Sequence, residues 1–236
     1  MTTHAFIFAR GGSKGLPRKN LRTIGRLPLV AHSLRMAARI DAIDGIFLST
    51  EDGEIAALAL EHGARVIERP AELATDTAPE WLAWRHAVAW VEREVGPFER
   101  FVSLPATAPL RSADDVERCL AGLTPSTDLV LTVTAARRNP WFNMVVADAE
   151  GRVRPVNAGN GLSRRQDAPA VFDVATVAYA TRPVYIREAP GLWAGVVRAV
   201  EVPAARAIDI DDQLDFAIAR FLFEQAPHLL DLPPPP

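Results

Sequence analysis

Lysine is almost missing from this 236-residue chain: of 26 basic residues only Lys14 and Lys19 are lysines, and the rest are arginines. Cysteine is scarcer still. Cys119 stands alone, which excludes an internal disulfide, and its apolar neighbours make it a core residue. No apolar run approaches the ~20 residues that a membrane-spanning helix needs. A formal net charge of −3 argues against nucleic-acid binding, which favours basic chains. Met1-Thr2-Thr3-His4 leads straight into an apolar run with no leader-like pattern, so a cytoplasmic protein engaging neither nucleic acid nor membrane is expected. The five histidines, at 4, 32, 62, 86 and 228, show no metal-site spacing. Neither a Gly-x-Ser-x-Gly elbow nor a Cys/His pair offers a covalent nucleophile, and no internal repeat is present.

What is present suits one α/β domain, residues 1–225, with 49% hydrophobic residues to fill its core. Short apolar runs at 5–8, 46–50, 65–67, 101–104, 129–134, 174–180 and 196–202 read as strands. Amphipathic stretches at 28–40, 54–62, 80–94, 112–123 and 212–224 read as helices between them. Such alternation predicts a mostly parallel central sheet flanked by helices on both faces. Between 135 and 170 the pattern changes: Asn139-Pro140, turn residues at 148–151 and a loop at 157–161 predict an antiparallel excursion suited to a dimer arm. Trp81, Trp84 and Trp90 are expected to pack within the helix 80–94 layer. Residues 226–236 end in four prolines and are expected to be disordered.

The densest chemical signal is Ala9-Arg10-Gly11-Gly12-Ser13-Lys14-Gly15-Leu16-Pro17-Arg18-Lys19-Asn20, directly after the first strand. A glycine-rich turn there exposes backbone N–H groups to an anion. Arg10, Lys14, Arg18 and Lys19 place four positive charges around it, and both lysines of the chain fall here. A compact ammonium serves phosphate as a mobile point charge, which a planar guanidinium does not reproduce. The stretch is not a Walker loop, and Pro17 interrupts any dinucleotide fingerprint. A second cluster is Asp209-Ile210-Asp211-Asp212 with Asp215. On an extended segment Asp209 and Asp211 point to one side, a pair of hard oxygen donors suited to Mg²⁺. A helix start explains Asp212 and Asp215 but not Asp209 between two isoleucines. A third cluster is Arg164-Arg165-Gln166-Asp167.

The twelve-residue loop resembles the signature of the CMP-sialic acid synthetase (acylneuraminate cytidylyltransferase) family, close to Ala-Arg-x-Gly-Ser-Lys-Gly-x-Pro-x-Lys-Asn. Arg69-Pro70 through Asp76, Arg165-Gln166 before Pro169, and Ile208-Asp209-Ile210-Asp211 match further segments of that family. The resemblance implies a nucleotide-diphospho-sugar-transferase-like, Rossmann-like fold whose arm completes a homodimer. It also implies CTP and an acidic small-molecule acceptor as substrates. In that reading Arg10 and Lys19 offset triphosphate charge, while Ala9, Gly11, Gly12, Ser13, Asn20, Arg69 and Asp76 hold the nucleotide. Thr107, Arg111, Arg165, Gln166 and Tyr179 face the acceptor. Asp209 and Asp211 carry Mg²⁺, with Mn²⁺ as the other candidate, and act in catalysis. Two departures fall on the acceptor side: Pro105 stands where the family has glutamine, and Ala175 where it has asparagine. The acceptor is therefore a sialic-acid-like (nonulosonic) acid or another acid, such as 3-deoxy-manno-octulosonic acid or a phosphonate. A catalytically silent nucleotide-binding protein is the remaining alternative.

Overall fold

The apolar runs and amphipathic stretches fold in sequence order as β1 (Thr3–Phe8), β2 (Thr23–Ile24), β3 (Leu27–Pro28), α1 (Leu29–Ala37), β4 (Gly45–Thr50) and α2 (Gly53–Glu61). They continue as β5 (Arg65–Glu68), α3 (Glu80–Glu94), β6 (Arg100–Ser103), α4 (Ala113–Gly122) and β7 (Leu129–Ala135). The remainder is β8 (Val145–Ala147), β9 (Val153–Pro155), β10 (Phe172–Thr181), α5 (Pro183–Glu188), β11 (Val197–Glu201) and α6 (Gln213–Gln225). The computed structural model describes residues 1–157 and 164–231, without the side chain of Arg165. Most of the expected loop at 157–161 and the four terminal prolines lie outside the described residues.

Seven strands form one sheet in the order β11-β7-β10-β6-β1-β4-β5. Every pairing is parallel except those of β10, which runs antiparallel to both β6 and β7. The mostly parallel sheet expected from the alternation is therefore present, with one reversed strand. The chain builds outward from β1 through β4 to β5, then returns to place β6 on the other side of β1. That reversal of strand order opens a crevice beyond the carboxyl ends of β1 and β6, where open α/β sheets bind ligands.

Both sheet faces are buried. On one, Phe6 stacks on Phe101 at 4.3 Å and on Phe47 at 5.4 Å between ring centroids, and Trp84 of α3 packs against Phe101 at 5.0 Å. Trp84 is thus a packing residue, as expected, and Trp81 and Trp90 lie beside the same cluster. On the other face, Val30, Leu34, Ile55, Val116 and Cys119 cover β1, β4 and β6. Burial pushes the Cys119 thiol up to about 12, which leaves it inert.

Helix ends follow their caps. Asp52 accepts from the N–H groups of Glu54 and Ile55, and Ser112 with Asp115 closes a capping box on α4. Asp115 is wholly buried, and Arg206 grips it with Nε and Nη2 at 2.8 and 3.0 Å. Arg206 also donates to the Leu230 carbonyl at 2.5 Å, and Leu229 and Leu230 pack on the apolar cluster of α6. Residues 226–231, expected to begin a disordered tail, are folded down by these contacts. The sequence pattern also missed the hairpin β2–β3, with Gly25 at φ +61°, and the six-residue α5, both too short to show a period. Between β7 and β10 the chain leaves the sheet and forms the two-stranded β8–β9 hairpin, closed by a turn with Gly151 at φ +79°.

Because Asp115 anchors α4 and the 203–231 segment together, Asp115→Ala would strand a buried guanidinium. The expected loss is about 3–5 kcal/mol in denaturant unfolding. An unchanged midpoint would mean that the pair is dispensable.

Candidate active site

The loop after β1 is fixed at both ends. The Ala9 N–H donates to the Ser49 carbonyl at 3.1 Å, extending the β1–β4 pairing by one residue. Asn20, buried, returns Nδ2 to the Arg10 carbonyl at 2.9 Å. Between them two glycines allow close approach on opposite sides. A Cβ at Gly11 would sit 2.4 Å from Asp52 Oδ2, and one at Gly15 would sit 2.3 Å from the Asp211 carbonyl oxygen. Gly15 thus lets the segment before α6 lie against the loop. Gly12 meets nothing within 4 Å, so its side toward the crevice is open.

The crevice is a cavity of about 250 Å³. Arg10, Gly12, Ser13, Lys19 and Asn20 form one wall, and Arg69, Thr75, Asp76 and Glu80 another. Pro105, Ala106 and Thr107, just beyond β6, complete it. Phe8, Leu73, Ala78 and Ala83 make its remaining surface apolar.

The four loop cations do not converge on one open point, as the sequence led one to expect. Each has an acid partner. Arg10 Nη1 and Lys14 Nζ share Asp76 at 2.5 and 2.6 Å, and Arg18 is forked over Asp52 and Glu54 at 2.5 Å each. Lys19 Nζ meets Asp211 Oδ1 at 2.9 Å. Lys14 is largely exposed, and Arg18, in a left-handed conformation at φ 55°, turns toward α2; neither lines the cavity. Even the Gly11 N–H is engaged, donating to Glu51 Oε1 at 2.7 Å. The Lys14 and Arg10 partners hold the Asp76 carboxyl below its usual range.

Arg69 differs. It is buried, its Nε and Nη2 donate to Ser49 Oγ and O at 3.1 and 2.8 Å, and its guanidinium lies 5.6 Å from the Phe8 ring centroid. Among the described residues no carboxylate pairs with it, and burial lowers its pKa. Glu80, at the start of α3, accepts from Trp84 Nε1 at 3.1 Å. Desolvation of its carboxyl raises its pKa, against the pull of Trp84 and Arg69, although the residue as a whole is exposed. The cavity therefore has a cationic end at Arg10 and Lys19. Its other end is apolar, with Arg69 as donor and Glu80 as acceptor.

The Asp209–Asp211 stretch runs alongside Thr107: the Ile210 N–H donates to the Thr107 carbonyl at 2.9 Å. Ile210 is fully buried in the α6 cluster, whereas its two aspartate neighbours are not. Asp209 Oδ1 is nonetheless buried without a hydrogen-bond partner, and the Asp211 side chain is 76% exposed. An orphaned carboxylate oxygen two residues before a second carboxylate fits a hard cation such as Mg²⁺. Among the described residues no group of three or more acidic, histidine or cysteine side chains could enclose a metal, so substrate oxygens would have to complete its shell.

Among the described side chains expected at the acceptor, only Thr107 lines the cavity. Arg111 does not. Its guanidinium is buried and bonds inward: Nε to the Val177 carbonyl at 2.8 Å, Nη1 to Ser33 Oγ at 2.6 Å, and Nη2 to the Pro105 carbonyl. Burial brings its pKa down to about 9. Arg111 thus staples the 104–112 connection to β10 and α1. Tyr179 is buried edge-on to Trp84 at 5.6 Å, its phenol pushed up by burial. Gln166 is exposed in the single turn Arg165–Asp167, outside the cavity walls, and the Arg165 side chain lies outside the described residues. Ala175 is buried among Ala108, Val177 and Val202, so its departure from the family pattern belongs to packing and removes no group from the cavity wall. Pro105 does line the cavity. Sequence reasoning missed Glu80 and the carboxylates Glu51 and Asp52. Their only signal was acidic residues at two helix starts.

The two glycines make a direct test of this packing. Gly15→Ala is expected to cost about 1–3 kcal/mol, since its Cβ meets backbone that cannot swing aside. Gly12→Ala should leave the melting temperature of the ligand-free protein unchanged. Equal melting temperatures for both variants would contradict the close approach of Asp211.

Comparison with known proteins agrees with this geometry. A family model described as cytidylyltransferase matches residues 4–85. The chain is 34% identical over 219 residues to a CMP-N,N'-diacetyllegionaminic acid synthase of Campylobacter jejuni, covering 92% of each chain. It is 32% identical over 222 residues to the post-translational flagellin modification protein B of Campylobacter coli, covering 93% of this chain and 94% of that one. Among solved structures, a CMP:2-keto-3-deoxy-manno-octonic acid synthetase complexed with CTP superposes with a TM-score of 0.70 at 18% identity, over 95% of this chain and 99% of that one, and so shares the fold. The chain belongs to the CMP-sialic-acid-synthetase-like family of cytidylyltransferases and is a nucleotidyltransferase.

Proposed function

We propose that the cavity binds CTP and that the enzyme transfers CMP to the hydroxyl of a sialic-acid-like (nonulosonic) acid, releasing pyrophosphate. The observation that carries this reading is the meeting of Lys19 with Asp211 at the cationic end, two residues after Asp209, whose Oδ1 is buried and unpartnered. A triphosphate and its counter-cation need both signs of charge at one point, and this is where the chain supplies them.

In this reading the acceptor oxygen attacks the α-phosphorus, a bond to that oxygen forms, and the bond to the pyrophosphate oxygen breaks. Phosphorus transfer asks the protein for positioning and charge neutralisation more than for covalent chemistry. Arg10 and Lys19 would turn from Asp76 and Asp211 to the phosphates, and Ser13 and the Gly12 backbone would line their path. Arg69 and Glu80, a donor and an acceptor at the apolar end, suit the polar edge of a nucleobase. Mg²⁺, or Mn²⁺ in its place, would be held by Asp209 and Asp211 and would neutralise phosphate charge. Asn20 acts by fixing the Arg10 backbone.

We further infer a cytoplasmic homodimer. The β8–β9 hairpin exposes Val145, Val146 and Val153, with Phe142 and Met144 beside them, an apolar surface that a second copy would cover. A second reading changes the acceptor only, to 3-deoxy-manno-octulosonic acid or a phosphonate. Pro105 supports it: in the cavity wall it offers no side-chain donor to a polyhydroxylated acid.

Pyrophosphate release with Mg²⁺, each of the four nucleoside triphosphates and a panel of nonulosonic, octulosonic and phosphonic acids tests both readings. Release with CTP and a nonulosonic acid is expected; release only with another acid class would move the acceptor. Lys19→Ala should lower turnover at least about 100-fold, the size of effect seen for a preorganised charge-stabilising donor. Near-wild-type turnover would remove Lys19 from the triphosphate site.

A further inference from the structure

A second cavity, of about 330 Å³, opens on the far side of the 104–112 connection. Its charged walls are all basic: Arg35, Arg39 and Arg111, with His32 beside them and no aspartate or glutamate. The contrast with the signature loop is sharp. There every cation has a carboxylate; here Arg35 and Arg39, both exposed, make no ion pair or side-chain hydrogen bond among the described residues. Arg35 lies in the last turn of α1 and Arg39 two residues past its end, and their like charges repel. The negative end of the α1 dipole offsets only part of that. His32 is half-buried, its Nε2 lies 3.0 Å from the Ile24 carbonyl, and its pKa is lowered by burial and further by Arg35 and Arg111. Its surroundings thus disfavour a charge on the imidazole. Leu27, Met36, Leu110, Phe223 and Leu230 make the rest of the wall apolar.

We propose that this cavity is a binding site for a small organic phosphate, distinct from the nucleotide cleft. Arg35 and Arg39 would grip the phosphate, since guanidinium forks match its oxygens. The apolar wall would receive the organic part, the usual division of labour in a ligand pocket. The site is also mechanically tied to the cleft. Arg111 lines this cavity and donates Nη2 to the carbonyl of Pro105, which lines the other. A ligand here therefore bears on the connection that carries Pro105, Ala106 and Thr107. This inference goes beyond the proposed reaction and does not depend on it.

Calorimetric titration of phenyl phosphate into the full-length protein tests the site. A binding event separate from any at the cleft is expected, weakened at least about 10-fold by Arg35→Ala/Arg39→Ala through loss of two charge-assisted contacts. Arg10→Ala/Lys19→Ala, which empties the cleft of its cations, should leave it within about 2-fold. Both arginines of the first variant are exposed, and a melting temperature equal to wild type confirms its fold. Binding lost with Arg10→Ala/Lys19→Ala but kept with Arg35→Ala/Arg39→Ala, or no binding to the wild type, would overturn the proposal.

Discussion

The rest of the site depends on a single van der Waals constraint, the rest of the Asp211 carbonyl against the bare α-carbon of Gly15. No side chain fits between them, so residues 9–20 and 208–212, almost two hundred positions apart in sequence, are held as one unit. The β1–β6 reversal of strand order opens the crevice, and this contact holds Asp211 within reach of Lys19, which lines it. The Asp212–Asp215 capping box then anchors the segment to α6, and the Ile210–Thr107 bond anchors it to the connection after β6. Three separate chain segments thus meet through backbone contacts, before any charge is considered.

Charge balance follows from that meeting. The loop carries four cations, and Asp76, Asp52, Glu54 and Asp211 neutralise them, while Glu51 occupies the Gly11 N–H. These pairs are mostly solvent-exposed and so contribute little to stability. Their consequence is for binding. In the proposed reading, a nucleotide would exchange with carboxylates already in place and would not enter an unbalanced positive field. Arg69, held by Ser49 and the Phe8 ring instead of by an acid, is a cation that need not give up an acid partner.

Much of this was legible in the sequence because it is local. The glycine-rich loop after the first strand and the strand–helix rhythm each rest on a few consecutive residues, and the structure contains both. What was not legible depends on distant partners. Arg111 looked like a ligand contact because the resemblance placed its segment at the acceptor; only the fold shows that Val177, Ser33 and Pro105 enclose it. Ala175 looked like a lost polar contact, yet its position is sealed by Ala108, Val177 and Val202. The four loop cations looked free because their carboxylates lie between 34 and 192 residues away. Glu80 carried no signal beyond a helix start, since its environment is made by Trp84, Arg69 and Asp209 together.

The central claim is that the loop and the aspartate segment form one nucleotide–metal site. Electron paramagnetic titration of Mn²⁺ in the presence of CTP tests it without requiring an acceptor. The account predicts that wild-type protein with CTP takes up Mn²⁺ more tightly than CTP does alone, and that Asp209→Asn abolishes the difference. Identical titrations for wild type and Asp209→Asn would show that the orphaned carboxylate plays no part in the site, and would contradict the account.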